Sequence, residues 1–133
     1  MIKKIIHSPN IGLLIFRLFI GLSMAFAHGL GKLPPSEQLV MGVASLGFPA
    51  PLFFAWCAGL SEFLGGLLIA LGIYTQAASA FLAFTMLVAF AGVHAADPYR
   101  IKEMALIYFF SCVMLFFVGP GNLALGRFLP HKK

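Results

Sequence analysis

Charged side chains are scarce in this sequence, and acidic ones are the scarcest. Only 10% of the 133 residues are charged, and four of them are Asp or Glu. Soluble domains carry about 25% charged residues, whereas 61% of the residues here are hydrophobic. The composition excludes a water-soluble domain with a polar shell and indicates a membrane protein. The length fits one compact bundle that takes up residues 1–133.

The excess of basic residues does not indicate a nucleic-acid partner. The net charge is +5, but nucleic-acid binding needs the basic residues gathered into a patch. Here they stand between apolar segments. We therefore interpret the charge as a sign of membrane topology, with the lipid bilayer as the first partner.

Cysteines and catalytic motifs are also few. Cys57 and Cys112 stand inside apolar runs without a CxxC motif, which favours two buried thiols that pack as small hydrophobic side chains. A redox pair would need Cα atoms within about 7 Å, and the sequence leaves that open. GxSxG, HExxH, P-loop and GxGxxG motifs are all missing. We expect no metal site and no covalent cofactor, and catalysis itself stays an open question.

Four long apolar segments are what the sequence does contain. They cover about residues 10–31, 51–73, 76–96 and 104–118, and each is near the ~20 residues that a spanning helix needs. Backbone groups in lipid must be hydrogen-bonded within the segment, so we predict helices. The predicted fold is all-α: a polytopic membrane four-helix bundle.

The connections predict one further element. A tight turn near Tyr74–Thr75 joins the second and third segments, and Pro98 suits the start of the fourth helix. The first connection, LPPSEQLVMGVASLGFPAP, is too long for a turn. Ser36–Glu37 is typical of a helix N-terminus, and several apolar residues follow. We expect a short interfacial helix that lies at the membrane surface or dips into the bilayer.

Basic residues also predict the orientation. An even number of spans places both termini on one side, which holds five Lys and Arg residues against three on the other. By the positive-inside rule the termini are cytoplasmic. The five are Lys3, Lys4, Arg127, Lys132 and Lys133, and the three are Lys32, Arg100 and Lys102.

Several ionisable side chains fall within or beside the apolar segments. Such groups are costly in a bilayer and usually face the bundle interior beside a partner. Their number exceeds what helix packing requires, so we take them as candidates for ligand binding or proton handling. The candidates are Arg17, His28, Lys32, Glu62, His94 and Glu103.

The first segment places its polar residues on one face. Arg17, Gly21, Met24, His28 and Lys32 recur at helical spacing. We expect this face to point into the bundle. His28 and Lys32 are expected near the outer edge, together with the candidates at the ends of the third and fourth helices.

The second segment carries a seam of small residues around one carboxylate. Small residues let membrane helices approach closely, so we expect the seam to pack on the polar face of the first helix. Glu62 would be neutral in lipid without a cation and ionised beside Arg17, and we expect an Arg17–Glu62 pair. The seam could instead form a homo-oligomer interface. Its residues are Ala55, Ala58, Gly59, Glu62 and Gly66.

Each candidate also has a purely structural explanation. A buried ion pair can simply lock two helices together. Lys32 could snorkel to the interface, His28 and His94 could hydrogen-bond across helices, and Glu103 could favour a helix N-terminus. The sequence leaves these alternatives open, and it does not say whether the two histidines meet.

The order of the motifs resembles one known family. RLFIGLSMAFAHGLGKL resembles the first helix of the DoxX family of small four-helix membrane proteins. LGFPAPLFFAWCAGLSEFLGGLLIALGIYTQAASAFLAFTML is similar to its second and third helices, and KEMALIYFFSCVMLFFVGPGNLAL to its fourth. The positions of Arg17, His28, Lys32, Glu62 and Glu103 match the family. The sequence departs from the family at 124–126, which read Ala-Leu-Gly where a Ser-Leu-Asp-like triplet is common.

The resemblance implies a location and a function. The location is a bacterial-type plasma membrane. The family is named for a subunit of a thiosulfate:quinone oxidoreductase, so it implies a redox-associated subunit with redox-enzyme partners and a bound quinone or similar lipid-soluble carrier. A small membrane carrier, or a structural module of a membrane complex without its own catalysis, is the alternative.

Overall fold

The computed structural model describes residues 8–129, and within that range every regular element is helical. Two helices continue beyond their α-helical part. The helix of the first apolar segment passes through a π-helical stretch, Met24–Gly29, and a 3-10 turn, Leu30–Lys32, and the helix of the third segment passes through a π-helical stretch, Ala89–Val93. The helices are α1 (Pro9–Ser23), α2 (Glu37–Ser45), α3 (Pro51–Leu71), α4 (Thr75–Val88) and α5 (Tyr99–Val118), followed by a 3-10 turn (Leu125–Phe128).

In the described part of the chain, four helical segments are long and apolar enough to cross a membrane. They are Pro9–Lys32, Pro51–Leu71, Thr75–Val93 and Tyr99–Val118, which confirms the predicted all-α membrane bundle. The fourth span, α5, begins at Tyr99, which confirms the helix start predicted at Pro98, and it includes polar residues that precede the apolar run at 104–118. Its N-cap is Pro98, so the helix starts in the polar stretch where hydropathy gives no signal.

The short helix in the first connection is present as predicted. Ser36 is the N-cap of α2, and its side chain accepts a hydrogen bond from the Leu39 N–H at 3.2 Å. The helix packs against α3. The chain that follows it contacts the end of the third span, Thr75–Val93, because a Cβ added to Gly92 would lie 3.1 Å from Leu46 Cδ2. Placement of α2 at the membrane interface stays a prediction.

The bundle core is apolar and lies between α1, α3, α4 and α5. Its fully buried side chains include Met24, Ile69, Leu82, Cys112 and Leu115. A hydrogen bond of 2.9 Å between the Ser61 and Thr85 hydroxyls joins α3 to α4. Large apolar side chains cover the outside, as a lipid-facing surface requires; examples are Phe19, Phe81 and Phe117, at 69%, 71% and 78% exposure.

Glycines bring α1 and its continuation against the backbone of α3. A Cβ on Gly21 would lie 2.7 Å from Ala70 N, and one on Gly29 would lie 2.6 Å from Phe63 Cα. From the other side, a Cβ on Gly66 would lie 2.6 Å from Gly21 O. This confirms that the seam packs on the first helix. The alternative of an oligomer interface made by the seam is wrong for Gly66, because Gly66 is already covered within the chain.

Replacing Gly29 with Ala tests this close approach. We expect the substitution to cost about 1–3 kcal/mol in the free energy of unfolding, because the added methyl group forces α1 and α3 apart. Gly12→Ala is the matched control, since nothing lies within 4 Å of a Cβ there. Unfolding in mixed detergent micelles measures both. Equal stability of the two variants would mean that the helices do not pack along this seam.

Candidate functional site

Lys32, and not Arg17, neutralises the buried carboxylate. Lys32 Nζ lies 2.6 Å from Glu62 Oε1 and 2.7 Å from Oε2, so both carboxylate oxygens accept from one ammonium. Glu62 is 1% exposed, whereas the Lys32 side chain is 36% exposed. The predicted Arg17–Glu62 pair is therefore wrong. In this ion pair the carboxylate is buried and the ammonium side chain is partly exposed.

This ion pair lies deep along α3. The first helix ends beside Gly59, where an added Cβ would lie 3.1 Å from Lys32 O. At about 1.5 Å per residue, Gly59 is about 12 Å from Pro51, and Glu62 is close to the middle of the 21-residue helix. The first span ends at Lys32, and the segment containing α2 packs on α3 beyond it. The position of Lys32 near the outer edge stays a prediction.

Arg17 instead binds the other end of α3. It is fully buried, and its Nη1 donates to Ile69 O at 3.2 Å and Ala70 O at 3.1 Å. Its Nη2 donates to Leu123 O in the chain after α5. The last carbonyls of a helix have no partner within the helix and favour a cation nearby. Arg17 therefore caps α3 and holds the C-terminal segment.

His28 packs between the first span and α5. Its half-buried ring meets the buried Tyr108 ring of α5 edge-on, with centroids 5.5 Å apart. It precedes Lys32 by one turn on the inward face of the first helix. The burial of Arg17, Gly21 and Met24 confirms that this face points inward. His28 and the Lys32–Glu62 pair are the polar groups that line this part of the first helix.

His94 has a different partner, which the sequence analysis missed. Its Nδ1 lies 2.6 Å from Asp97 Oδ2, and the two side chains are 37% and 40% exposed. This pair lies just after the third span, Thr75–Val93, away from the middle of the bundle. The i, i+3 spacing of His94 and Asp97 in a helix-ending turn was the available signal.

Glu103 lies on an exposed side of α5. With Phe16 of α1 and Ser111 it lines a shallow groove of about 440 Å³. The structure thus separates the predicted candidates. The Lys32–Glu62 pair and His28 lie along the same part of the first span, His94 pairs with Asp97, Arg17 caps α3, and Glu103 is exposed.

In the described part of the chain, the cysteines and the potential metal ligands form no further candidate site. The interpretation as two buried thiols is confirmed for Cys112, which lies in the core, and is wrong for Cys57, which is exposed; both are free thiols. Between residues 8 and 129, no three His, Cys, Asp or Glu side chains come together as a metal site would need.

Four apolar helices around an interhelical ion pair define a small polytopic membrane protein. A family model described as DoxX matches residues 12–95, and the chain belongs to the DoxX family. It is 28% identical over 123 residues to the Bacillus subtilis protein named "Putative oxidoreductase CatD", covering 92% of this chain and 90% of that protein. No solved structure gives a significant match.

Proposed function

We propose that this protein is a redox-associated membrane subunit that binds a quinone or a similar lipid-soluble carrier at Lys32, Glu62 and His28. The proposal rests on the partial exposure of Lys32 in its ion pair with the buried Glu62. An ammonium has three N–H donors, and Lys32 directs two of them to Glu62. The third is left for a ligand carbonyl oxygen, and the 36% exposure of the Lys32 side chain gives a ligand access.

The three side chains fit the chemistry of a quinone ring. Reduction to the quinol takes two electrons and two protons. Lys32 would hold one carbonyl oxygen and stabilise the negative charge that develops on it. The ring nitrogens of His28 have no hydrogen-bond partner in the described part of the chain, so this histidine can donate or relay a proton.

The electrons must come from a partner. The composition leaves no polar domain that could enclose a flavin, so a soluble cofactor-carrying redox subunit is the proposed donor. The printed name of the Bacillus subtilis relative, an oxidoreductase, supports a redox setting. A bacterial-type plasma membrane with cytoplasmic termini belongs to the same proposal, supported by the distribution of basic residues.

One observation favours the alternative of a carrier or structural module. Both oxygens of Glu62 are already bonded to Lys32, as expected of an ion pair that only locks α1 to α3. Such a module would hold ordinary lipid and no redox carrier.

Bound quinone separates the two functions. The protein is purified gently in native-lipid nanodiscs, its small molecules are extracted, and quinone is quantified by mass spectrometry and ultraviolet absorption. We expect about one quinone per chain, and a roughly tenfold or greater loss in folded Glu62→Gln or His28→Ala variants, since a hydrogen bond to a charged group is removed or weakened.

Glu37→Gln is the matched control. It makes the same charge change at an exposed position in the first turn of α2, so it should keep the quinone of the parent protein. Ordinary lipid without quinone in the parent protein, or equal quinone in all variants, would favour the structural module.

A further inference from the structure

We propose that a second site, at the opposite end of the bundle, binds a phosphate group, carried by an anionic lipid or free in solution. A cavity of about 520 Å³ lies where α3 turns into α4 and the C-terminal segment packs against them. The residues that carry the proposal are Gly72, Thr75, Gln76, Ala77 and Arg127, all of which line the cavity.

The first turn of α4 supplies backbone donors to this cavity. The N-cap residue, Tyr74, makes no side-chain capping bond, and the first N–H bonded within the helix is that of Ala78, which donates to Tyr74 O at 3.0 Å. Between residues 8 and 129, the N–H groups of Thr75, Gln76 and Ala77 have no acceptor. Unpaired N–H groups and the helix dipole attract an anion to a helix N-terminus.

A buried hydroxyl group points to a ligand independently. Thr75 is 2% exposed, and its Oγ1 has no hydrogen-bond partner among the described residues. Buried polar groups are nearly always paired. Because Thr75 also lines the cavity, a phosphate oxygen there would accept from the Thr75 hydroxyl as well as from the backbone.

Charge favours the same occupant. Arg127 lines the cavity, and among residues 8–129 its side chain donates only from Nη1, to Asn122 O at 3.2 Å. The Arg17 guanidinium lies directly against Gly72 in the cavity wall. No acidic side chain of the sequence neutralises this end. The four are Glu37 in α2, Glu62 in the middle of α3, Asp97 after the π-helical stretch that continues α4, and Glu103 near the start of α5.

The walls of the cavity favour a lipid as the carrier of the phosphate. Tyr74 and Leu129 line it and are exposed, at 72% and 38%, at the level where the spans end. Basic pockets at this depth on the predicted cytoplasmic side bind anionic headgroups. The site shares no residue with the Lys32–Glu62 pair, so it stands or falls independently of the quinone proposal.

Lipid retention tests the site. The protein is placed in nanodiscs of phosphatidylcholine alone or with phosphatidylglycerol, and lipid retained after release into the gas phase is counted by native mass spectrometry. We expect one retained phosphatidylglycerol per chain, with an occupancy constant about tenfold weaker in Arg127→Gln and in Thr75→Val. Arg100→Gln, an exposed cation at the other end, should bind like the parent protein.

A second arm identifies the source of the phosphate. Millimolar inorganic phosphate is added to the protein in phosphatidylcholine nanodiscs, and the melting temperature is recorded. A rise that Thr75→Val abolishes indicates free phosphate; no rise, with phosphatidylglycerol retained, indicates a headgroup. Thr75→Val keeps the side-chain shape and Arg127 is exposed, so both variants should fold. If both match Arg100→Gln in both arms, the proposal is overturned.

Discussion

Lys32→Met should lower the free energy of unfolding by about 3 kcal/mol. The substitution leaves Glu62 without a cation at 1% exposure, and removing one partner of a buried ion pair costs about 3–5 kcal/mol. We take the lower end of this range because the Lys32 side chain is 36% exposed, so the ion pair is buried on one side only. Reversible unfolding in mixed micelles gives the value.

A double substitution shows whether the loss comes from the pair. Replacing both partners, Lys32→Met with Glu62→Met, should recover most of the stability, because a buried ion pair can often be replaced by apolar side chains at little cost. Arg100→Met is the control for an exposed charge and should change stability by about 0.5 kcal/mol or less. If Lys32→Met behaves like Arg100→Met, Lys32 does not hold Glu62 in the membrane.

The bundle could be predicted because its signals are local. Each span is a run of apolar residues of membrane-crossing length. α2 follows its N-cap Ser36, whose side chain accepts from a backbone N–H three residues later. The start of α5 at Tyr99 was indicated by Pro98 and not by the apolar pattern. A helix can begin in polar residues beyond the lipid, and hydropathy does not indicate its first residue there.

The partner of Glu62 could not be predicted, because it depends on the vertical register of two helices. Arg17 and Lys32 occupy one face of the first helix, and sliding α3 along that face would bring Glu62 towards either of them. The register is set by backbone contacts at Gly21 and Gly29. A row of small residues permits close approach at several registers, so composition alone does not select one.

The cavity beside Thr75 and Arg127 could not be predicted from the sequence for a related reason. In the sequence, Thr75 is a turn residue between two apolar runs. Its role depends on which chain packs over the start of α4, and that chain is the segment around Gly126 and Arg127, about fifty positions away. The same segment is tied to α3 by a hydrogen bond of 3.2 Å from Gly126 N–H to Gly72 O.

Arg17→Met should be at least as damaging as the loss of Lys32, with a cost of about 3–5 kcal/mol in the free energy of unfolding. It removes three hydrogen bonds from a charged donor and leaves the carbonyl groups of Ile69, Ala70 and Leu123 without that partner. The tether between α1, the end of α3 and the C-terminal segment is lost with them. Unfolding in mixed micelles measures the loss, and tryptic cleavage after Arg127 should become faster.

Arg17→Lys decides whether shape or charge is responsible. A guanidinium is a planar fork that can donate to three carbonyl oxygens in different directions, whereas an ammonium on a flexible stem is a compact point charge. We therefore expect Arg17→Lys to recover only a minor part of the stability and to leave the cleavage after Arg127 fast. Full recovery by lysine would mean that Arg17 acts only through its charge at the end of α3, and that its contact with Leu123 does not hold the C-terminal segment in place.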